Sequence, residues 1–303
     1  MKVTKESTKK QKSQLKKRTM RQRVGAGLFL APSLIGVFLF FILPFFVVIY
    51  YSMVDNPITA NFVGFENFVR VFNNGSFKIA SGNTLHFSFI AVPLSVVLSL
   101  MLAAMLDKNI PFRSQFRTAF LTPMMVPVAS IVLIVQVMFD MNGAVNQFLS
   151  HFGGAKIDWL KSDYAQVVII LLFLWKNLGY NMILFLSALE SIPKDIIEVA
   201  QMESANAWQI FWNIKIRYLS PTILFVTILS LINSFKVFRE IYLLTGGYPY
   251  DPLYMLQHFM NNTFQSLDYQ KLSSAAIIMS IAMIIIIGAL FIVENHFGKD
   301  VEE

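Results

Sequence analysis

Six long apolar runs constrain this chain more than anything else in it. Hydrocarbon offers backbone N–H and C=O groups no water, so a segment crossing a bilayer must be a helix or part of a closed barrel. These runs are unbroken rather than alternating in polarity, which selects helices. Spans are expected at 27–52, 84–106, 118–139, 165–188, 219–238 and 273–294, each long enough for the ~20 residues a bilayer core takes. The first is too long for a cleaved signal peptide. The expected fold class is therefore all-α, a polytopic membrane protein with six transmembrane helices. Composition agrees, since only 14% of the 303 residues are charged and 55% are hydrophobic, whereas soluble domains carry about a quarter charged.

Charge orients the spans. Ten lysines and arginines precede Gly25, so 1–24 reads as a basic cytoplasmic tail and 25–303 as the membrane domain. The tail, the second-to-third and fourth-to-fifth connections and the C-terminal segment together carry seventeen basic residues, against five in the opposite loops. The positive-inside rule then puts both termini in the cytoplasm. Without interleaved aromatics, and directly before a span, the tail reads as a topology anchor touching anionic lipid rather than a nucleic-acid arm.

Much chemistry is missing. Cysteine is absent, which removes thiol chemistry and disulfides. His86, His151, His258 and His296 fall on separate segments without metal-ligand spacing. No GxxxxGK[ST] phosphate loop occurs, and no nucleophile stands beside a base. The expectation is no catalytic residue, no metal, no cofactor bound by this chain, and no enzyme activity of its own.

One connection is too structured to be a plain loop. Between the fourth and fifth spans lies ESIPKDIIEVAQMESANAWQIFWNIKIRYLSP, beginning at Glu190. Ser191 is expected to cap a first helix that takes Pro193 and Asp195 in its opening turn. After a break at 204–206, Asn206 and Gln209 have the spacing of a capping box for a second helix. On that helix Ala207, Ile210, Phe211 and Ile214 share one face. An interfacial helix resting on lipid would place lysine and arginine on its polar face. Here that face carries Glu198 and Glu203, which anionic lipid repels, so docking to a cytoplasmic protein is the better reading.

This block, 190–218, resembles the EAA loop of ABC importer permeases. Glu198-Val199-Ala200 stands for EAA, Glu203-Ser204-Ala205 for the usual DGA, and Ile214 for the isoleucine. Ser204 replaces the glycine and Arg217 the first proline, and Asn206 is expected to supply the left-handed bend in glycine's stead. FVGFENFVRVF (62–72), FRTAFLTPMMVP (116–127), LWKNLGYNMILFLSAL (174–189) and FKVFREIYLLTGGYP (235–249) are similar, in order and spacing, to segments of the carbohydrate-uptake branch related to the maltose and glycerol-phosphate permeases.

The resemblance implies a type I ABC importer permease fold in a bacterial or archaeal cytoplasmic membrane. It implies a second, non-identical permease subunit, two ATPase subunits that hold ATP and Mg, an extracytoplasmic solute-binding protein, and a carbohydrate substrate. It assigns ATPase coupling to Glu198, Ala200, Glu203, Ser204, Ala205, Phe211 and Ile214. Another import branch, for polyamines or phosphonates, is the alternative, and a non-ABC channel a more distant one.

Substrate contacts are expected near mid-bilayer. Lys176 falls close to the middle of the fourth span, and an ionisable group at that depth is costly unless it serves a function. Asn177, Tyr180 and Asn181 accompany it, and Asn233, Ser234, Lys236 and Arg239 continue the polar line on the fifth span. The competing reading of the same residues is hydrogen bonding that packs the two spans together. If Lys176 lacks an acidic partner, its charge suits an acidic ligand; Glu240 offsets only one of the basic charges, and Asp140 near the outer end of the third span is the second candidate.

Overall fold

The computed structural model describes residues 26–108 and 110–297. The basic tail at 1–24 and Lys299 lie outside the described residues. Among the described residues, six helices are long and apolar enough to cross a membrane. In chain order the elements are α1 (Ala26–Ser52), α2 (Glu66–Asn73), α3 (Gly75–Leu106), α4 (Arg113–Met125), α5 (Val128–Phe139) and α6 (Ala144–His151). They continue with α7 (Ala165–Glu190), α8 (Lys194–Met202), α9 (207–218), α10 (Ser220–Phe235), α11 (Phe238–Thr245), α12 (Leu256–Gln265) and α13 (Tyr269–Phe297). Among the described residues the only β pairing is an isolated bridge between Val54 and Phe62.

Prolines shape several of these helices. Pro44 has no N–H to return to the preceding turn, and a π turn, Phe38–Ile42, sits just before it in α1. Pro127 is the N-cap of α5, with a φ of −57° and a ψ of 137°. The span expected at 118–139 is consequently two helices, α4 and α5, that meet at Val126-Pro127. The second span starts at Gly75 rather than 84, because Asn74 caps it by accepting from the Phe77 N–H at 3.0 Å. The fifth is also broken, between α10 and α11 at Lys236-Val237.

The centre of the bundle is α3 packed along α7, with α4 and α10 on either side; α13 lies against α1 and α2. One apolar cluster gathers Phe87, Ile131, Ile169, Phe173 and Ile241. A second gathers Leu106, Met182, Phe185, Leu189 and Leu219. Between them runs a buried polar seam. Asn181 donates to Ser95 Oγ at 3.0 Å and Ser230 Oγ at 2.9 Å, while the Ser88 and Ser234 hydroxyls meet at 2.8 Å. Small hydroxyl residues let helices approach closely and bond across the interface. The closest approach is at Gly179, where a Cβ would lie 1.8 Å from the Phe120 carbonyl oxygen. Any larger residue there forces α4 and α7 apart.

The 191–218 segment is a helix–turn–helix, with two corrections to the local expectations. Ser204 itself takes the left-handed conformation, φ +64°, and Asn206 is extended at φ −76°, ψ 165°. Asn206 is committed to the capping box: its Oδ1 accepts from Gln209 N and its own N–H donates to Gln209 Oε1, both at 2.9 Å. Ser191 is not an N-cap either. Its hydroxyl turns back to the Ala188 carbonyl at 2.7 Å, and Pro193 occupies the N-cap of α8 without a side-chain bond.

Candidate functional site

A pocket of about 370 Å³ opens between α7, α10 and α11, with Met124 of α4 contributing to its wall. The break in the fifth span builds much of it. The Asn233 carbonyl ends α10 in a tight turn by accepting from the Lys236 N–H at 3.1 Å, and α11 restarts with the Glu240 N–H donating to the Val237 carbonyl at 3.1 Å. Lys236, Arg239 and Glu240 all reach the pocket from this turn, opposite Lys176, Asn177 and Tyr180 of α7.

Six of the eight residues expected along the pathway line this pocket: Lys176, Asn177, Tyr180, Asn233, Lys236 and Arg239. Asn181 and Ser234 do not. They are 1% exposed and belong to the polar seam, the helix-packing role that competed for them. Asn177 and Asn233 join the two walls, Asn233 Nδ2 donating to Asn177 Oδ1 at 3.0 Å.

The Lys176 ammonium is ion-paired with the Glu240 carboxylate within this chain. Glu240 is 6% exposed, and its other oxygen, Oε2, is buried without a hydrogen-bond partner. Of the two acids expected to offset this charge, Glu240 and Asp140, it is Glu240 that pairs with Lys176. A lone acid in one span and a lone base in its neighbour avoid isolation in hydrocarbon by pairing. Lys236 and Arg239 are exposed and have no ion-pair partner among the described residues.

On the 191–218 segment, Glu198, Glu203 and Ser204 are exposed, while Ala200, Ala205, Phe211 and Ile214 are half-buried. Trp208 and Trp212, which were not singled out from sequence, stack edge to face with centroids 5.5 Å apart and are 70% and 49% exposed. Ion pairs tie the segment's flanks to the bundle. Arg113 and Arg117 each reach Glu190 Oε1 at 2.6 Å, and Lys215 reaches Asp107 Oδ2 at 2.6 Å. No cluster of three or more metal-binding side chains occurs among the described residues.

Residues 95–303 match the family described as binding-protein-dependent transport system inner membrane component. The lactose transport system permease protein LacF of Rhizobium radiobacter is 32% identical over 274 residues, covering 86% of this chain and 91% of that protein. The sn-glycerol-3-phosphate transport system permease protein UgpA of Pectobacterium atrosepticum is 30% identical, with coverage of 88% and 91%. A chain of a bacterial ABC transporter involved in the import of the acidic polysaccharide alginate superposes with a TM-score of 0.79 at 22% identity. That match covers 96% of this chain and 100% of the other.

Proposed function

Because the chain belongs to the family of binding-protein-dependent transport system inner membrane components, we propose that it lines half of the membrane pathway of an importer for sugars or oligosaccharides. The observation that carries the proposal is the polar pocket in the broken fifth span, in a chain whose relatives are sugar and glycerol-phosphate permeases along most of their length. Asparagine amides, a tyrosine hydroxyl and charged groups around an otherwise apolar cavity suit a hydroxyl-rich ligand, since each hydroxyl needs a directional partner once it leaves water.

In this reading a second permease subunit completes the pathway, and an extracytoplasmic binding protein delivers the sugar. Two ATPase subunits, carrying ATP and Mg, engage the 191–218 segment on the cytoplasmic side, where both termini also lie. Glu198, Ala200, Glu203, Ser204, Ala205, Phe211 and Ile214 form the coupling surface. Exposed Glu198 and Glu203 offer anionic partners to basic residues of an ATPase, and the half-buried apolar residues stiffen the lever that transmits its closure. Transport thus alternates between inward- and outward-facing states, with hydrolysis confined to the partner.

The test is uptake by the complete complex in proteoliposomes. Sugar accumulation should require ATP, the binding protein and this chain together. Accumulation that persists without ATP or without the binding protein would remove the chain from this class of machine.

A further inference from the structure

We infer that the ligand of this pocket is an acidic carbohydrate, its anionic group held by Lys236 and Arg239. The inference rests on the reading of the pocket as a carbohydrate pathway and adds the substrate's charge. Four ionisable side chains line the cavity: Lys176, Lys236, Arg239 and Glu240. Lys176 and Glu240 neutralise each other. Two cations remain, and neither has an ion-pair partner among the described residues.

Glu240 stands beside the two cations but is already committed to Lys176, and its Oε2 is sealed from the cavity in a residue only 6% exposed, so it takes no ligand group. A neutral sugar leaves both cations uncompensated, whereas an acidic one meets them. Arginine favours planar bidentate anions such as carboxylates, and lysine contributes a point charge.

The cations also stand where a ligand passes. Lys236 and Arg239 line a second concavity of about 490 Å³ whose walls include Phe238, Tyr242 and Gln257. Aromatic faces there and Tyr180 in the first pocket give sugar rings apolar surfaces on either side of the charged pair. The two residues therefore act as specificity determinants between two halves of one route.

The experiment uses the intact transporter with its partner subunits, reconstituted with its binding protein. The probes are a hexuronate trisaccharide, the same trisaccharide with its carboxyls reduced to alcohols, and a hexose phosphate beside its free hexose. Uptake of an anionic probe is expected to exceed that of its neutral counterpart by on the order of tenfold, as for loss of a charge-assisted bond. In the Lys236→Met, Arg239→Met double variant that ratio should collapse towards one. ATPase co-purification with the variant reports that the complex still assembles. Preference for the neutral member, or an anionic preference that survives the double variant, overturns the inference while the carbohydrate reading stands. ATP-dependent uptake of no probe in either charge form overturns that reading and the inference with it.

Discussion

Ser204 holds a φ of +64° at the position where the EAA pattern has glycine. A side chain there meets its own carbonyl, at a cost of ~1–2 kcal/mol relative to a right-handed residue. Ser204→Gly is therefore expected to stabilise the 199–210 region by up to about 1 kcal/mol, read as slower amide hydrogen exchange. Asn206→Val should instead lose the cap bond, costing ~1 kcal/mol, and leave the turn itself in place. The sequence pattern located the bend but assigned it to the wrong residue. Asparagine is both a good left-handed residue and a good cap, and only the bond to Gln209 shows which role it takes. Lys176 was legible from its depth alone, whereas its pairing with Glu240 required the helix register. Removing one partner of a largely buried pair costs ~3–5 kcal/mol, and removing both costs far less. Lys176→Met should thus lower the melting temperature of the complex more than Lys176→Met with Glu240→Leu. Equal losses would show that the pair contributes nothing.

Among the elements, α8 presents Glu198 to solvent, its carboxylate without a hydrogen bond or ion pair among the described residues. Glu198→Lys should leave membrane insertion unchanged and reduce substrate-stimulated ATPase activity by roughly tenfold, the scale of one charge-assisted contact. Normal stimulation in the variant would take Glu198 out of the coupling surface. α12 carries a different sensitivity. His258 is fully buried against Phe238 and Tyr254, and its Nδ1 accepts from the Met255 N–H at 3.3 Å. Burial pulls its pKa down from 6.5 to about 4. The neutral ring is therefore favoured by folding, and the stability it contributes is full above pH 6.5 and lost as the pH falls from 6.5 to about 4. Hydrogen exchange in 255–265 should accelerate across that window. His258→Gln keeps a capping side chain without a titrating group and should abolish the acceleration. Nothing in the sequence distinguished this histidine, because its burial depends on contacts with α11 and with the loop before α12. The capping box of α9 was legible because both of its partners lie within four residues.

At the scale of the molecule, the six-helix arrangement follows from the apolar runs, and the cross-helix ion pairs do not. Arg113 and Arg117 reach Glu190 from more than seventy residues away, a separation no spacing rule covers. These bonds fasten the start of α4 to the end of α7, directly before the 191–218 segment. Glu190→Gln should loosen that corner: salt-dependent trypsin cleavage after Arg113 and Arg117 should rise, and transport per ATP hydrolysed should fall. Unchanged cleavage would mean the arginines find other anchors.

The serine and asparagine seam between the two apolar clusters has a mechanical consequence. Interdigitated leucines and phenylalanines resist sliding, because each small displacement opens a void or a clash. The hydroxyls of Ser88, Ser95, Ser230 and Ser234 are small and join the helices by single hydrogen bonds rather than by interlocked side chains. Since α3 and α7 run through both clusters, the seam lies between neighbouring helices, and sliding of α3, α7 and α10 along one another meets its least resistance there.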